Sequence, residues 1–358
     1  MHLLYVLRRG NADIMKNLFP FSIKIIPFIL ISYCISCKKQ KPEKTIFDKV
    51  AYIEDSIKVG NMVIRNAFKH QILAHKNGVF DSIMIYKNVY TPNKYTFDNC
   101  LGIIFGKENS GKFSIPGMYE WNRKLLENDS LIKAKISVLD SININDLFTK
   151  HLKAVQDITG QNGYGSWMLY FGPQNFQIFG GCDKHAMMLD MFGSQWNYKD
   201  INALFAHELE HLIFEPILEK DPYGKKGLGI VLDEGLAVYF TSIYLKQTRE
   251  QALYNKHTTL LLEHEKMIFE KLKDLLYLDY KNGCPIFYHT GRTDECGAIV
   301  FIDGLPENVN RELGYFLGFR IIEKYVEKNG KHSWKDIYKI PLIEFYKKSG
   351  YTDFIEKQ

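Results

Sequence analysis

The sequence predicts an α+β fold, a small mixed sheet followed by a helical C-terminal half. Three observations carry that reading. Trp167–Phe171, Phe176–Phe179 and Ala186–Met191 are short apolar runs separated by glycine-containing turns, the pattern of strands. Beyond Asp200, apolar residues recur at helical spacing almost to the end of the chain. A composition of 46% hydrophobic and 24% charged residues in a chain of 358 lies near globular averages and is far from that of a disordered chain.

The first 36 residues read as an address and not as part of the fold. Met15-Lys16-Asn17 precedes Ile25–Ile35, eleven residues without a charge, and small residues follow before Lys38. That is the secretory signal pattern, and the run is shorter than the roughly 20 residues a membrane-spanning helix needs. Met15 is the expected true start. Cys34-Ile35-Ser36-Cys37 resembles the bacterial lipoprotein box, which implies lipid on Cys37, a membrane anchor and a place in the bacterial cell envelope. Residues 37–44 contain four lysines, a proline and one glutamate after Cys37, a solvated tether.

Residues 45–160 form an N-terminal helical and strand region. Ile46 to about Ala74 carries apolar residues at helical spacing with a break at Gly60; Ser82–Tyr86 and Leu101–Phe105 read as strands; about Asn145 to Ile158 reads as a helix. The remainder, 161–358, holds the three strands named above and then helices at roughly 200–219, 229–247, 258–278, 308–329 and 334–348.

Charge and cysteines exclude several classes. The formal charge is +5, from 46 Lys+Arg against 41 Asp+Glu, and no basic patch interleaved with aromatics appears, so nucleic acid is not an expected partner. The address segment carries Arg8, Arg9, Lys16 and Lys24 against Asp13, so its removal lowers the charge to +2. Beyond the box, Cys100, Cys182, Cys284 and Cys296 have no zinc-ribbon spacing; a Cys284–Cys296 bridge and isolated buried thiols are both open.

The chemistry concentrates in Ala206-His207-Glu208-Leu209-Glu210-His211. Histidines four apart in a helix share one face, so both imidazoles can bind one metal, with Glu208 beside it. A catalytic zinc takes three protein ligands and leaves the fourth position for water. Glu234, in Leu232-Asp233-Glu234-Gly235-Leu236-Ala237, follows His211 after 22 residues on the next helix, and an antiparallel return places it opposite the histidines. Asp233 could accept from a ligand imidazole or cap the helix and is not assigned to the site. Glu210 reads as a solvated position.

His-Glu-x-x-His followed by Glu-Gly-Leu-Ala resembles a gluzincin. Together with Leu313-Gly314-Tyr315-Phe316-Leu317-Gly318 and the closing Ser349-Gly350-Tyr351, the stretch from about 160 to 351 is similar to a bacterial family of predicted zinc-dependent proteases. The resemblance implies a zincin-like metallopeptidase fold, Zn2+ held by His207, His211 and Glu234, Glu208 as general base, and a peptide or protein substrate. Tyr315 with Gly318 resembles the Tyr-x-x-Gly element that supplies an oxyanion donor in related aminopeptidases; Tyr288, His289 and Arg292 form a second candidate cluster, and Tyr315 can equally be a core residue. Zincin substrates usually add to an edge strand, here within Phe176–Met191, where Gly180-Gly181 would permit close approach or make a turn. The Gly-Ala-Met-Glu-Asn exopeptidase signature is missing, which favours endopeptidase action. The competing expectation from another class is a non-catalytic zinc-binding or metal-free envelope lipoprotein on a peptidase scaffold.

Overall fold

The computed structural model describes residues 45–102, 105, 109–173, 179–183, 186–193, 196–253, 257–279, 305–306 and 313–358. The expected signal segment 1–36, Cys37 and the tether therefore lie outside the described residues, as do Cys284, Tyr288, His289, Arg292 and Cys296.

A five-stranded mixed sheet is flanked by helices: β1 (Ser56–Val59), β2 (Asn61–Asn66), β3 (Tyr164–Tyr170), β4 (Phe179–Asp183) and β5 (Ala186–Asp190), in the spatial order β1-β2-β3-β5-β4. β2, β3 and β5 run parallel to one another, and the two edges, β1 and β4, pair antiparallel. The sheet is small and mixed as expected, but it draws on other segments. Its first two strands come from the stretch expected to be helical, of which only Ile46–Ala51 and Ala67–Leu73 are helix. The reason is a switch of period: Ile57 and Val59, then Met62 and Ile64, alternate on either side of Gly60, which turns the hairpin at φ +57°.

The central strands are buried on both faces, and their period of two divides the molecule into two cores. Trp167, Leu169 and Phe171 join Met187, Leu189 and Met191 in the main core with the C-terminal helices. Met168, Tyr170, Ala186 and Met188 face a second core with Ile85, Val89, Phe97, Cys100, Leu101, Phe113 and Met118. The segment that builds this second layer is helical: Ser82–Met84 is α, Ile85–Tyr90 and Phe97–Leu101 are π, and Ile115–Arg123 is α. It replaces the expected strand at Ser82–Tyr86; of the expected Leu101–Phe105, Leu101 ends a π segment and residues 103–104 lie outside the described residues. Short apolar runs do not distinguish a strand from a buried helix, and Ile85/Val89 and Phe97/Leu101 are each four apart, as a buried helical face allows.

The remaining elements follow expectation closely. The helix Ile144–Thr159 is capped by Asn143, whose side chain accepts from Asp146 N. Its Phe148 stacks at 4.0 Å on Phe205 of the helix Tyr198–Leu218, and Phe205 also meets Trp167 of β3. The helix Gly227–Leu245 follows; it is long and apolar enough to cross a membrane, but it is mostly buried as a core helix. The stretch expected as one helix over 258–278 is Thr258–Glu263, Glu265–Leu272 and a 3-10 turn, broken at His264. The helix Leu313–Asn329 packs on Gly227–Leu245, and beyond it a 3-10 segment Ser333–Tyr338 and a helix Leu342–Ser349 are separated at Pro341, which lacks the N–H a continuous helix would need.

Candidate metal centre

Three helices build the centre. Asn197 caps the first: its side chain accepts from Asp200 N at 3.0 Å and its amide donates to Asp200 at 2.7 Å. His207 and His211, four residues apart, face the same way, with Nε2 atoms 3.1 Å from each other. The second helix runs back and brings in Glu234, whose Oε2 lies 3.5 Å from His207 Nε2 and 3.3 Å from His211 Nε2. All three side chains are buried.

These distances fit a metal. Three ligands at about 2.0–2.1 Å from a tetrahedral zinc lie about 3.3 Å from one another, and the observed edges of 3.1, 3.3 and 3.5 Å bracket that value. Glu234 Oε2 is buried and forms no well-directed hydrogen bond, although two imidazoles flank it. A buried carboxylate oxygen left in that state is costly unless a cation completes it. The donor set, two imidazoles and one carboxylate, is that of a catalytic zinc with an open position.

Asp233 completes the support. Its Oδ1 accepts from His211 Nδ1 at 3.0 Å, which leaves the Nε2 lone pair facing Glu234 and His207. It does not cap the helix, which begins at Gly227 behind Lys226. Burial disfavours charge on His211, but the carboxylates of Asp233 and Glu234 outweigh it and hold its pKa well above the ordinary value. Burial likewise opposes the charge of Glu234, and the two histidines overcome it, holding the carboxyl at about 2. Both directions describe a pocket arranged around positive charge.

Glu208 is only half-buried, beside His207 on the side facing the sheet edge. A Cβ placed on Gly180 of β4 would stand 3.6 and 3.7 Å from its two carboxylate oxygens, so β4 runs directly past the acid. Gly180 and Gly181 sit within that strand and not in a turn. β4 extends over Phe179–Asp183; of the expected strand Phe176–Phe179, residues 176–178 lie outside the described residues. Tyr315, half-buried on the third helix, has its ring 6.1 Å from that of His207. Its placement depends on the crossing of the second and third helices at Gly235 and Gly318: a Cβ on Gly235 would collide with the Gly318 backbone, and one on Gly318 with the Val231 carbonyl. Glu234 and Tyr315 thus stand one and three residues from a backbone-to-backbone contact.

The structure corrects the reading of Glu210. It is fully buried, and its Oε1 accepts from Tyr338 at 2.8 Å. Glu210, His211 and Asp233 also bring one ligand-type atom each within 4.8 Å of the others. A signal was present in the sequence: the apolar residues of Tyr198–Leu218 are not gathered into one stripe, so the pattern marks no separate wet face on which Glu210 could sit. Nothing in the sequence announces Tyr338.

No curated protein and no solved structure gives a significant match to the chain. A family profile does, over residues 139–347, more than half of the chain, and that span contains every residue of the centre described above. With this match and the donor triangle in hand, the chain belongs to the family described as predicted Zn-dependent protease (DUF2268).

Proposed function

We propose that the protein is a zinc-dependent metallopeptidase of gluzincin type, acting as an endopeptidase. The observation that carries the reading is the triangle of His207, His211 and Glu234, whose buried Oε2 lacks a well-formed hydrogen bond, with Glu208 adjacent. Zinc bound there would supply a Lewis acid that lowers the pKa of a water toward about 7 and draws charge from a carbonyl oxygen.

The chain's own residues supply the rest. Glu208 takes a proton from the attacking water on its carboxylate and returns it to the leaving amine. Asp233 fixes the His211 ring through Nδ1. Tyr315, beside His207, donates its hydroxyl hydrogen to the oxyanion that develops at the cleaved carbonyl. β4 is an edge strand, and its outer side offers backbone groups to an extended peptide, with no side chain at Gly180 to hold the peptide away from Glu208.

The lipoprotein box at Cys37 supports tethering of this enzyme to the bacterial envelope by lipid. Cys100 is disulfide-bonded, which suits an oxidising compartment outside the cytoplasm. Labelling with a lipid precursor, comparing the wild type with Cys37→Ser, tests the anchor; lipid retained in the variant would refute it.

The enzymatic claim is tested on a peptide library. Glu208→Gln should lower cleavage roughly 10²- to 10⁴-fold, and Tyr315→Phe by about 10²-fold or more, both with zinc content unchanged. Zinc bound but no cleavage of any peptide, with Glu208→Gln indistinguishable from wild type, would favour a non-catalytic zinc-binding lipoprotein instead.

A further inference from the structure

We propose that Glu210 and Tyr338 are positioning residues of the metal centre, an outer clamp through which the C-terminal segment holds His211 in its metal-binding orientation. The inference rests on the zinc reading above and adds two residues that the ligand pattern does not contain.

The geometry runs outward from the metal in one direction. His211 presents Nε2 to Glu234 and His207 and Nδ1 to Asp233. Asp233 in turn lies with Glu210 around the same imidazole, their ligand-type atoms within 4.8 Å. Glu210 is fully buried, and Tyr338, in the 3-10 segment Ser333–Tyr338, donates to its Oε1 at 2.8 Å. A buried carboxylate is expensive, and an apolar residue at this helix position would fill the same space at lower cost. What an apolar residue cannot do is present a fixed carboxylate to the His211–Asp233 pair. Glu210 therefore bounds the carboxylate that orients His211, and Tyr338 fixes Glu210 from a segment 128 residues further along the chain.

Packing offers a competing role for Tyr338, because its ring meets Phe214 edge-on at 5.8 Å and Trp334 at 6.1 Å. Tyr338→Phe separates the two roles, since it keeps the ring contacts and removes only the hydroxyl. Glu210→Gln keeps an oxygen acceptor for Tyr338, whereas Glu210→Leu does not.

The test is zinc affinity of the full chain, measured by competition with a chromogenic chelator, together with the absorption spectrum of the Co2+-substituted protein as a report on ligand geometry. Outer partners of metal-binding histidines are typically worth about 10- to 100-fold in affinity, so Tyr338→Phe should weaken zinc binding by about 10-fold and alter the Co2+ spectrum. Glu210→Gln should retain most of the wild-type affinity and Glu210→Leu should not. Tyr338→Phe/Glu210→Leu should be no weaker than Glu210→Leu alone, because both changes break one linkage. Affinity within twofold of wild type and an unchanged Co2+ spectrum in Tyr338→Phe would overturn the clamp while leaving the zinc site standing. A wild-type chain that binds no zinc would overturn both. Tyr338→Phe decides the matter even if Glu210→Leu fails to fold.

Discussion

Two clusters of buried charge among the described residues are completed differently. In one, Glu265 accepts from Arg320 through both oxygens, at 2.7 and 3.2 Å, and again from Tyr351 at 3.0 Å; Arg320 also pairs with Glu323, which Arg249 holds at 2.6 Å. Every acceptor there faces a donor. In the other, Glu234 faces two imidazole nitrogens that also face each other, and its Oε2 has no well-formed partner. The first cluster is closed and ties the helices Glu265–Leu272, Leu313–Asn329 and Tyr351–Glu356 together. The second is open, and its pattern of acceptors calls for a cation. Burial alone therefore does not mark a functional site; convergence of two imidazole nitrogens and a carboxylate oxygen on one point does.

Breaking the closed cluster should cost stability and nothing else. Arg320→Met leaves the Glu265 carboxylate buried without its counter-charge, which typically costs about 3–5 kcal/mol. Chemical denaturation should show that loss, while zinc bound per folded chain stays unchanged. Loss of zinc at full folding would mean that the two clusters are not independent. Arg320→Met combined with Glu265→Leu should recover part of the stability, because the stranded charge is gone.

A perturbation behind the open cluster should do the reverse. Asp233→Asn keeps the shape but not the charge that orients His211, and zinc affinity per folded chain should fall about 10- to 100-fold. Affinity equal to wild type in a chelator competition would show that Asp233 is not an orienting partner.

Asp190 gives a third, smaller contrast, a buried carboxyl whose pKa burial pushes up. Its Oδ1 accepts from Gly172 N at 3.1 Å and Phe192 N at 2.9 Å, and its Oδ2 is buried without a partner among the described residues. Burial raises its pKa to about 7 against the lowering effect of those two N–H groups. The folded state thus holds a proton that the unfolded chain releases near pH 4. Its contribution is fully present below that pH and is lost as the pH rises toward about 7. Asp190→Asn should flatten the fall in stability between pH 4 and 7, read from urea midpoints; a wild-type-like slope in the variant would contradict the assignment.

The same contrast explains what the sequence disclosed. The metal ligands were legible because helical periodicity places residues four apart on one face, and Glu234 sits on an adjacent antiparallel helix at a short chain distance. The strands at Tyr164–Tyr170 and Ala186–Asp190 and the helix Ile144–Thr159 were legible from their patterns and caps. The layer over 82–123 was not, because a segment buried against the far face of a sheet carries short apolar runs that fit a strand as well as a helix, and π turns shift the helical period. The β1–β2 hairpin was missed because Ile46, Val50, Ile53 and Ile57 recur three or four apart and carry a helical spacing into β1, and only pairing with the distant β3 decides between the two. Glu210 and Tyr338 were missed for a related reason, since their contact joins positions 128 residues apart.

The central claim is that the open cluster is a three-ligand zinc site. Elemental analysis of the purified wild-type chain beside His207→Ala and Glu234→Ala tests it directly. The account predicts one zinc per wild-type chain and none retained by either variant after mild chelation. No zinc in the wild type, or zinc that persists in Glu234→Ala, would contradict it.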